Sequence, residues 1–198
     1  DLGTGKKAAD PANSIWIWGQ GKKPLLPSFF DLHGVKAAVI SAVDLVKGLG
    51  LSAGMESIFV EGTTGTLDTN YAGKVKAALK ALSEGTDFVY LHVEAPDECG
   101  HRGEVDNKVR AIELIDEKVI SPLLEGLEQY YDYKLMVLPD HATPLSTKTH
   151  SSDPVPYVIF QKSRQQLTAN TGYDEVSAKN SGIHQESGPA LLSRFLKN

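Results

Sequence analysis

Short apolar runs alternate along the chain with segments in which apolar residues recur at helical spacing. The apolar runs predict strands at 35–43, 55–60, 87–93, 133–138 and 156–160. The helical spacing predicts helices near 44–49, over 69–85 with Thr69 or Asn70 as the cap, from Val105 to Leu127, and over 187–197. This alternation is typical of an α/β fold with a largely parallel or mixed sheet flanked by helices.

Composition narrows the class of protein. The 198 residues are 41% hydrophobic, which suits one domain or one large part of a bigger protein. A net charge of −5 offers no electrostatic footprint for nucleic acid, so we expect no nucleic-acid partner. No apolar run approaches the roughly 20 residues of a membrane span, and no signal peptide is visible. The single cysteine, Cys99, excludes a disulfide framework, so we expect a cytoplasmic protein.

Residues suited to metal binding follow two of the predicted strands. Asp97 and His101 come after the strand at 87–93, and Asp140 and His141 come after the strand at 133–138. The carboxyl ends of strands in open α/β sheets form the ligand crevice, so both pairs are expected there. His150, in the loop before the last strand, could fold back to the same edge.

The local spacing makes two predictions about these pairs. Asp97 and His101 converge if a turn containing Pro96 and Gly100 closes between them. Adjacent residues point apart along an extended chain, so Asp140 and His141 would serve opposite sides of a site. Two carboxylates and three imidazoles could hold one or two divalent ions. The alternative is that each acid is only a helix cap or an Asx-turn residue.

Several other polar residues have simpler explanations. Lys22 and Lys23, in "GQGKKP", could contact a phosphate, although a solvated basic turn is the alternative. His92 alternates within a strand and is expected to be a satisfied core group or a group that supports the ligands. His33 is expected to be a turn residue, His184 a solvated residue and Cys99 a packing residue.

Longer blocks of sequence carry a resemblance to a known family. "EAPDECGHRGE", "LPDHATP", "THSSDPVPYVIF" and "NSIWIWGQGKKP" resemble the archaeal-type cofactor-independent phosphoglycerate mutases, as do "AAVISAVDLVKGLGLSAGM" and "GTTGTLDTNYAGK". The family belongs to the alkaline phosphatase superfamily, so the resemblance implies a metal-dependent phosphatase-like α/β core. It implies two divalent ions per full site, Mn or Zn first and Mg or Co as alternatives, and a phosphorylated small-molecule substrate.

The resemblance also implies a role for each ligand candidate. Asp97, His101 and His150 would hold one metal ion, and Asp140 and His141 would hold the second. The resemblance places residues 1–28 at the end of an inserted domain and its linker, and 29–198 in the C-terminal part of the metal-binding domain.

The family's nucleophilic serine, which carries the phosphoryl group between the two hydroxyls of glycerate, has no counterpart here. We therefore interpret the chain as a fragment, inactive alone, of a mutase that interconverts 3-phosphoglycerate and 2-phosphoglycerate. Two alternatives stay open: a related phosphotransferase acting on homoserine, and a metal-free scaffold domain. The sequence leaves the oligomeric state undetermined.

Overall fold

The computed structural model describes residues 14–15, 17, 21–22, 24–164 and 172–197. The strands within these ranges are β1 (Ala37–Ile40), β2 (Glu56–Ser57), β3 (Phe88–Leu91), β4 (Lys134–Val137) and β5 (Val158–Gln161). The α-helices there are α1 (Phe29–His33), α2 (Asp44–Ser52), α3 (Tyr71–Ser83), α4 (Ala95–Arg102), α5 (Val105–Ile115), α6 (Ser121–Leu127), α7 (Glu175–Asn180) and α8 (Gly188–Leu196). None of the described helices is long and apolar enough to cross a membrane.

The strands form two sheets. One is parallel with the order β2-β1-β3, and the other is an antiparallel pair of β4 and β5. The α/β class and the flanking helices are as predicted. The apolar run at 55–60 forms a strand only at Glu56–Ser57, so that prediction was too long. After it, the amide of Ile58 donates to the carbonyl of Val39, and the chain then leaves the sheet for the glycine-rich loop.

The hydrophobic core lies between the parallel sheet and the helices α3, α5 and α6. Its buried members come from one strand, these helices and the π-helical segment (Asp116–Ile120) between α5 and α6: Ile40, Tyr71, Val75, Ala78, Leu114, Val119 and Leu123. The predicted cap of α3 is correct, because the Asn70 side chain accepts a hydrogen bond of 2.8 Å from the amide of Gly73. This packing fixes α3 and α5 on one face of the sheet, beside the carboxyl end of β3.

The opposite face of the parallel sheet is covered by α1, α2 and α8. Gly50 of α2 approaches Val39 so closely that a Cβ at this position would lie 2.5 Å from the Val39 side chain. Phe29 stacks on Phe88 at 5.3 Å between ring centroids, and Phe195 meets Phe88 edge-on at 6.4 Å. The short helices α1 and α7 were not predicted, because neither carries an extended apolar period.

The long helix predicted from Val105 to Leu127 is continuous, with a π-helical segment at Asp116–Ile120. The segment ends just before Pro122, whose ring would clash with the carbonyl of an uninterrupted α-helix and which has no amide hydrogen to donate. The wider turn absorbs that conflict and keeps Val119 and Leu123 in the core.

The domain boundary at residue 28 remains a prediction. Most of 1–23 lies outside the described residues, and those described before Phe29 form neither helix nor strand.

Candidate metal centre

Asp97 and His101 lie on helix α4, which starts where β3 ends. The predicted turn between them was therefore wrong: the segment is helical, with Pro96 in the first turn, where its missing amide costs no hydrogen bond. The two residues are one helical turn apart and share one face of α4. Their convergence thus comes from helical geometry, and Gly100 lies inside the helix.

His141 and His150 are brought together by the loop that follows β4. Ala142 and Ser151 form an isolated antiparallel bridge, in which the amide of Ser151 donates to the carbonyl of Ala142 at 3.0 Å. The bridge closes the loop, and the two imidazole rings lie in contact, tilted by 31°, with their centroids 3.7 Å apart. His150 does fold back to the edge that carries Asp97 and His101.

The side chains of Asp97, His101 and His150 meet at the spacing of metal ligands. The Nε2 atoms of His101 and His150 are 3.1 Å apart, and the Asp97 carboxylate lies 3.3 Å from the first and 3.4 Å from the second. Bonds of about 2.0–2.2 Å at a tetrahedral centre place neighbouring ligand atoms roughly 3.3–3.6 Å apart. Two imidazoles and one carboxylate are also a donor set that zinc and related ions accept. The residues therefore fit a divalent metal ion, which could occupy the space among them.

A main-chain contact fixes the protonation pattern of His101. Its Nδ1 lies 3.0 Å from the carbonyl oxygen of Lys148. A carbonyl can only accept, so Nδ1 carries a hydrogen, and in the neutral ring Nε2 is the nitrogen that can bind a metal ion. Ligating histidines commonly donate their other ring nitrogen in this way. Lys148 has a positive φ of 54°, the only non-glycine example in the described part of the chain, and this conformation helps aim its carbonyl.

Asp140 and His141 form a second, more open pair beside the first three residues. The Asp140 carboxylate lies 3.6 Å from His141 Nε2, and it also accepts a hydrogen bond of 3.1 Å from the His141 amide. The prediction that these neighbours point apart was therefore wrong. The chain turns after β4, and this turn lets both side chains face the same space. Asp140 is 53% exposed, so this pair leaves an open side.

The sequence reasoning missed Thr143. This threonine is only 5% exposed, and its hydroxyl contacts both Asp97 and His141. A spacing of two residues in an extended segment puts His141 and Thr143 on one side, and that was the available signal.

One further missed residue, Lys74, supports the carboxyl end of β3. Lys74 is fully buried on α3, and its ammonium donates to the carbonyl of His92 at 2.9 Å. Burial lowers the pKa of Lys74, and the nearby Glu94 carboxylate opposes that shift. The sequence does contain a weak signal for this role, because Lys74 stands within the apolar face of a predicted helix.

Charge near the site is dominated by carboxylates. Burial raises the pKa of Glu94, and the neighbouring Glu98 and Asp97 carboxylates raise it further. Burial lowers the pKa of His92, whereas the Asp140 carboxylate acts in the opposite direction. His92 also lies 3.1 Å from the Ser41 hydroxyl through Nδ1, which agrees with the expectation of a satisfied supporting group.

The other candidates lie outside this cluster. Lys22 is exposed and Lys23 lies outside the described residues, so their contact with a phosphate stays a prediction. His33 ends helix α1, His184 is exposed, and Cys99 is buried in α4 as a packing residue.

The chain is similar in sequence to a family of metal-dependent enzymes and to named phosphoglycerate mutases. Residues 6–187 match the family model described as the metalloenzyme superfamily. The 2,3-bisphosphoglycerate-independent phosphoglycerate mutase of Methanothrix thermoacetophila is 52% identical over 183 residues, which are 92% of this chain and 46% of that protein. The chain spans about half the length of the curated relatives it matches.

Two solved structures share the fold. The PH0037 protein from Pyrococcus horikoshii has a TM-score of 0.70 and 33% identity, with 78% of this chain and 46% of that chain covered. The cofactor-independent phosphoglycerate mutase from Thermoplasma acidophilum has a TM-score of 0.53 at 22% identity, covering 81% of this chain and 36% of that chain, and it supports the fold alone. On the match over residues 6–187, this chain belongs to the metalloenzyme superfamily.

Proposed function

We propose that this chain is the metal-binding half of a cofactor-independent phosphoglycerate mutase that interconverts 3-phosphoglycerate and 2-phosphoglycerate. The observation that carries the proposal is the convergence of Asp97, His101 and His150 at metal-ligand spacing. The family match and the relatives that bear the mutase name support it.

In this proposal, each ligand residue has a defined task. Asp97, His101 and His150 hold one divalent ion, Mn or Zn in the first place and Mg or Co as alternatives. Asp140 and His141 hold a second ion at the more open side of the cluster. Two such ions can bracket a phosphoryl group and make a hydroxyl beside them more acidic.

The same proposal assigns the remaining chemistry to residues outside the chain. The serine that takes up the phosphoryl group is expected in the part of the relatives that this chain does not span, about half of their length. Lys22 and Lys23 are proposed contacts of the phosphorylated substrate. A protein of this activity would work in the cytoplasm, and the chain alone would have no mutase activity.

The relatives do not favour the hypothesis that homoserine is the substrate, because they carry the mutase name. The two readings differ in the acceptor hydroxyl, so one assay of the parent protein separates them. The parent protein would be given 3-phosphoglycerate with and without homoserine, first after chelation and then after return of Mn²⁺. Conversion to 2-phosphoglycerate that depends on the metal would support the proposal. Conversion that survives complete metal removal, or turnover only with homoserine, would overturn it.

A matched pair of variants ties the assay to this site. His150→Ala removes one proposed ligand, whereas His184→Ala makes the same change at an exposed histidine outside the cluster. We expect the first variant to lose activity and bound Mn²⁺ together, and the second to retain both. Equal behaviour of the two variants would contradict the assignment of His150.

A further inference from the structure

We propose that Thr143 is a positioning residue that couples the two ligand sets. This inference rests on the proposed function, because it concerns how the same metal ligands are held. The Thr143 side chain lies between Asp97 of the first set and His141 of the second, and it touches both. It is the described side chain whose hydroxyl joins helix α4 to the loop after β4.

The donors and acceptors in this contact determine which nitrogen of His141 carries a hydrogen. A threonine hydroxyl has one hydrogen and can accept further bonds. The Thr143 hydroxyl donates its hydrogen to the Asp97 carboxylate, which can only accept. Nδ1 of His141, 3.2 Å from the same oxygen, must then be the donor of the second bond. His141 is thereby held with a hydrogen on Nδ1, and in the neutral ring Nε2, 3.6 Å from the Asp140 carboxylate, is the nitrogen left free to bind a metal ion.

The main chain of Thr143 is fixed as firmly as its side chain. The Lys108 ammonium on α5 donates to the Thr143 carbonyl at 2.7 Å. Gly100 of α4 packs on the same carbonyl, and a Cβ at Gly100 would lie only 2.7 Å from it. With the residue 5% exposed and these contacts in place, the hydroxyl has little freedom to turn away from the ligands.

One consequence is a coupling between the two metal positions. The Asp97 carboxylate that would hold the first ion is the same group that accepts from Thr143. An ion there would limit the rotation of this carboxylate, and with it the freedom of the Thr143 hydroxyl and of the His141 ring. We therefore expect loss of the hydroxyl to affect both ligand sets.

The test uses Thr143→Val, Thr143→Ser and Thr147→Val. Valine keeps the shape of Thr143 but removes the hydroxyl, whereas serine retains it. Thr147 is an exposed threonine of the same loop whose hydroxyl lies near the carbonyls of Pro144 and Thr149, so Thr147→Val is the matched control. Mn²⁺ would be titrated into each metal-free protein by calorimetry. Nitrogen NMR of the histidine rings would report the tautomer of His141.

We expect Thr143→Val to weaken Mn²⁺ binding about 10- to 100-fold, the usual cost of losing a group that orients a ligand. It should also give His141 a mixture of tautomers. Thr143→Ser should restore both properties, and Thr147→Val should match the wild type.

If Thr143→Val does not fold, the wild-type spectrum still decides, because His141 with its hydrogen on Nε2 would overturn the inference. Equal Mn²⁺ binding by the wild type and a folded Thr143→Val would overturn it as well. A wild type that binds no Mn²⁺ would count against the proposed function, whereas the tautomer measurement tests Thr143 separately.

Discussion

Helix α4 and the loop after β4 supply ligand candidates in two different ways. Asp97 and His101 are held by the pitch of one helix, and their side chains are only 25% and 35% exposed. Asp140 and His150 lie in the loop and are 53% and 54% exposed. Helical hydrogen bonds preset the first pair, whereas the loop depends on the Ala142–Ser151 bridge and on Thr143. The difference teaches that one half of the centre is built locally and the other half is built by long-range contacts.

The largest expected effect is on metal affinity, and it should differ between the Asp97 and Asp140 carboxylates. Asp97→Asn keeps the side-chain size but removes the charge that faces both His101 and His150. We expect it to reduce the affinity of this chain for its first Mn²⁺ by more than about 100-fold, because a direct ligand matters more than a group that orients one. Calorimetric titration of the metal-free chain measures the loss.

The matched control for this change is Asp140→Asn, which removes a charge of the same type from the open side of the centre. We expect it to leave the affinity for the first Mn²⁺ within a few-fold of the wild type. Equal losses in the two variants would break the distinction between the helix and the loop.

A second prediction concerns the junction of the two regions. Gly100→Ala would place a Cβ 2.7 Å from the Thr143 carbonyl, and backbone atoms would have to move. We expect a loss of about 1–3 kcal/mol in the free energy of unfolding, together with weaker Mn²⁺ binding. Urea denaturation of the metal-free and metal-loaded chain measures both.

Gly48→Ala is the control for the helical propensity of alanine. Gly48 lies in α2 with open space around it, so alanine there should stabilise the chain by up to about 1 kcal/mol. A Gly100→Ala variant that is as stable as Gly48→Ala would show that α4 and the loop do not pack as described.

The smallest expected effect is on the pH dependence of stability. Burial lowers the pKa of His92, so below the ordinary histidine pKa of about 6.5 the unfolded chain takes up a proton that the folded chain resists. The stability is present above pH 6.5 and is lost as the pH falls from there toward the lowered pKa. The free energy of unfolding of the wild type should therefore decrease over this pH range.

The comparison variant is His92→Asn, measured in a buffer with a chelator so that metal binding does not contribute. The difference in the free energy of unfolding between wild type and variant should change between pH 7 and pH 5, to the disadvantage of the wild type. A difference that stays constant over that range would contradict a role for His92 titration.

The fold could be predicted wherever apolar residues recur at a regular helical or strand spacing. The helix α3 and its Asn70 cap follow from apolar spacing and one hydrogen bond within a turn. The strand over 55–60 was predicted too long, because an apolar run does not reveal how many residues find a neighbouring strand. The turn at 97–101 was mistaken because Pro96 and Gly100 favour turns in general, while α4 accepts proline in its first turn and needs glycine for the Thr143 contact.

The sequence by itself determined the donor types, their places at the ends of two strands, and the α/β class. These properties depend on residue chemistry and on periods of a few residues. Only the tertiary structure decided that His150 returns to His101, that Asp140 and His141 face the same space, and that Thr143 joins the two sets. The His150 and Thr143 contacts depend on how residues far apart in the chain pack, and such distances leave no local period to be read. The Asp140–His141 pair depends on a turn that the apolar pattern does not reveal.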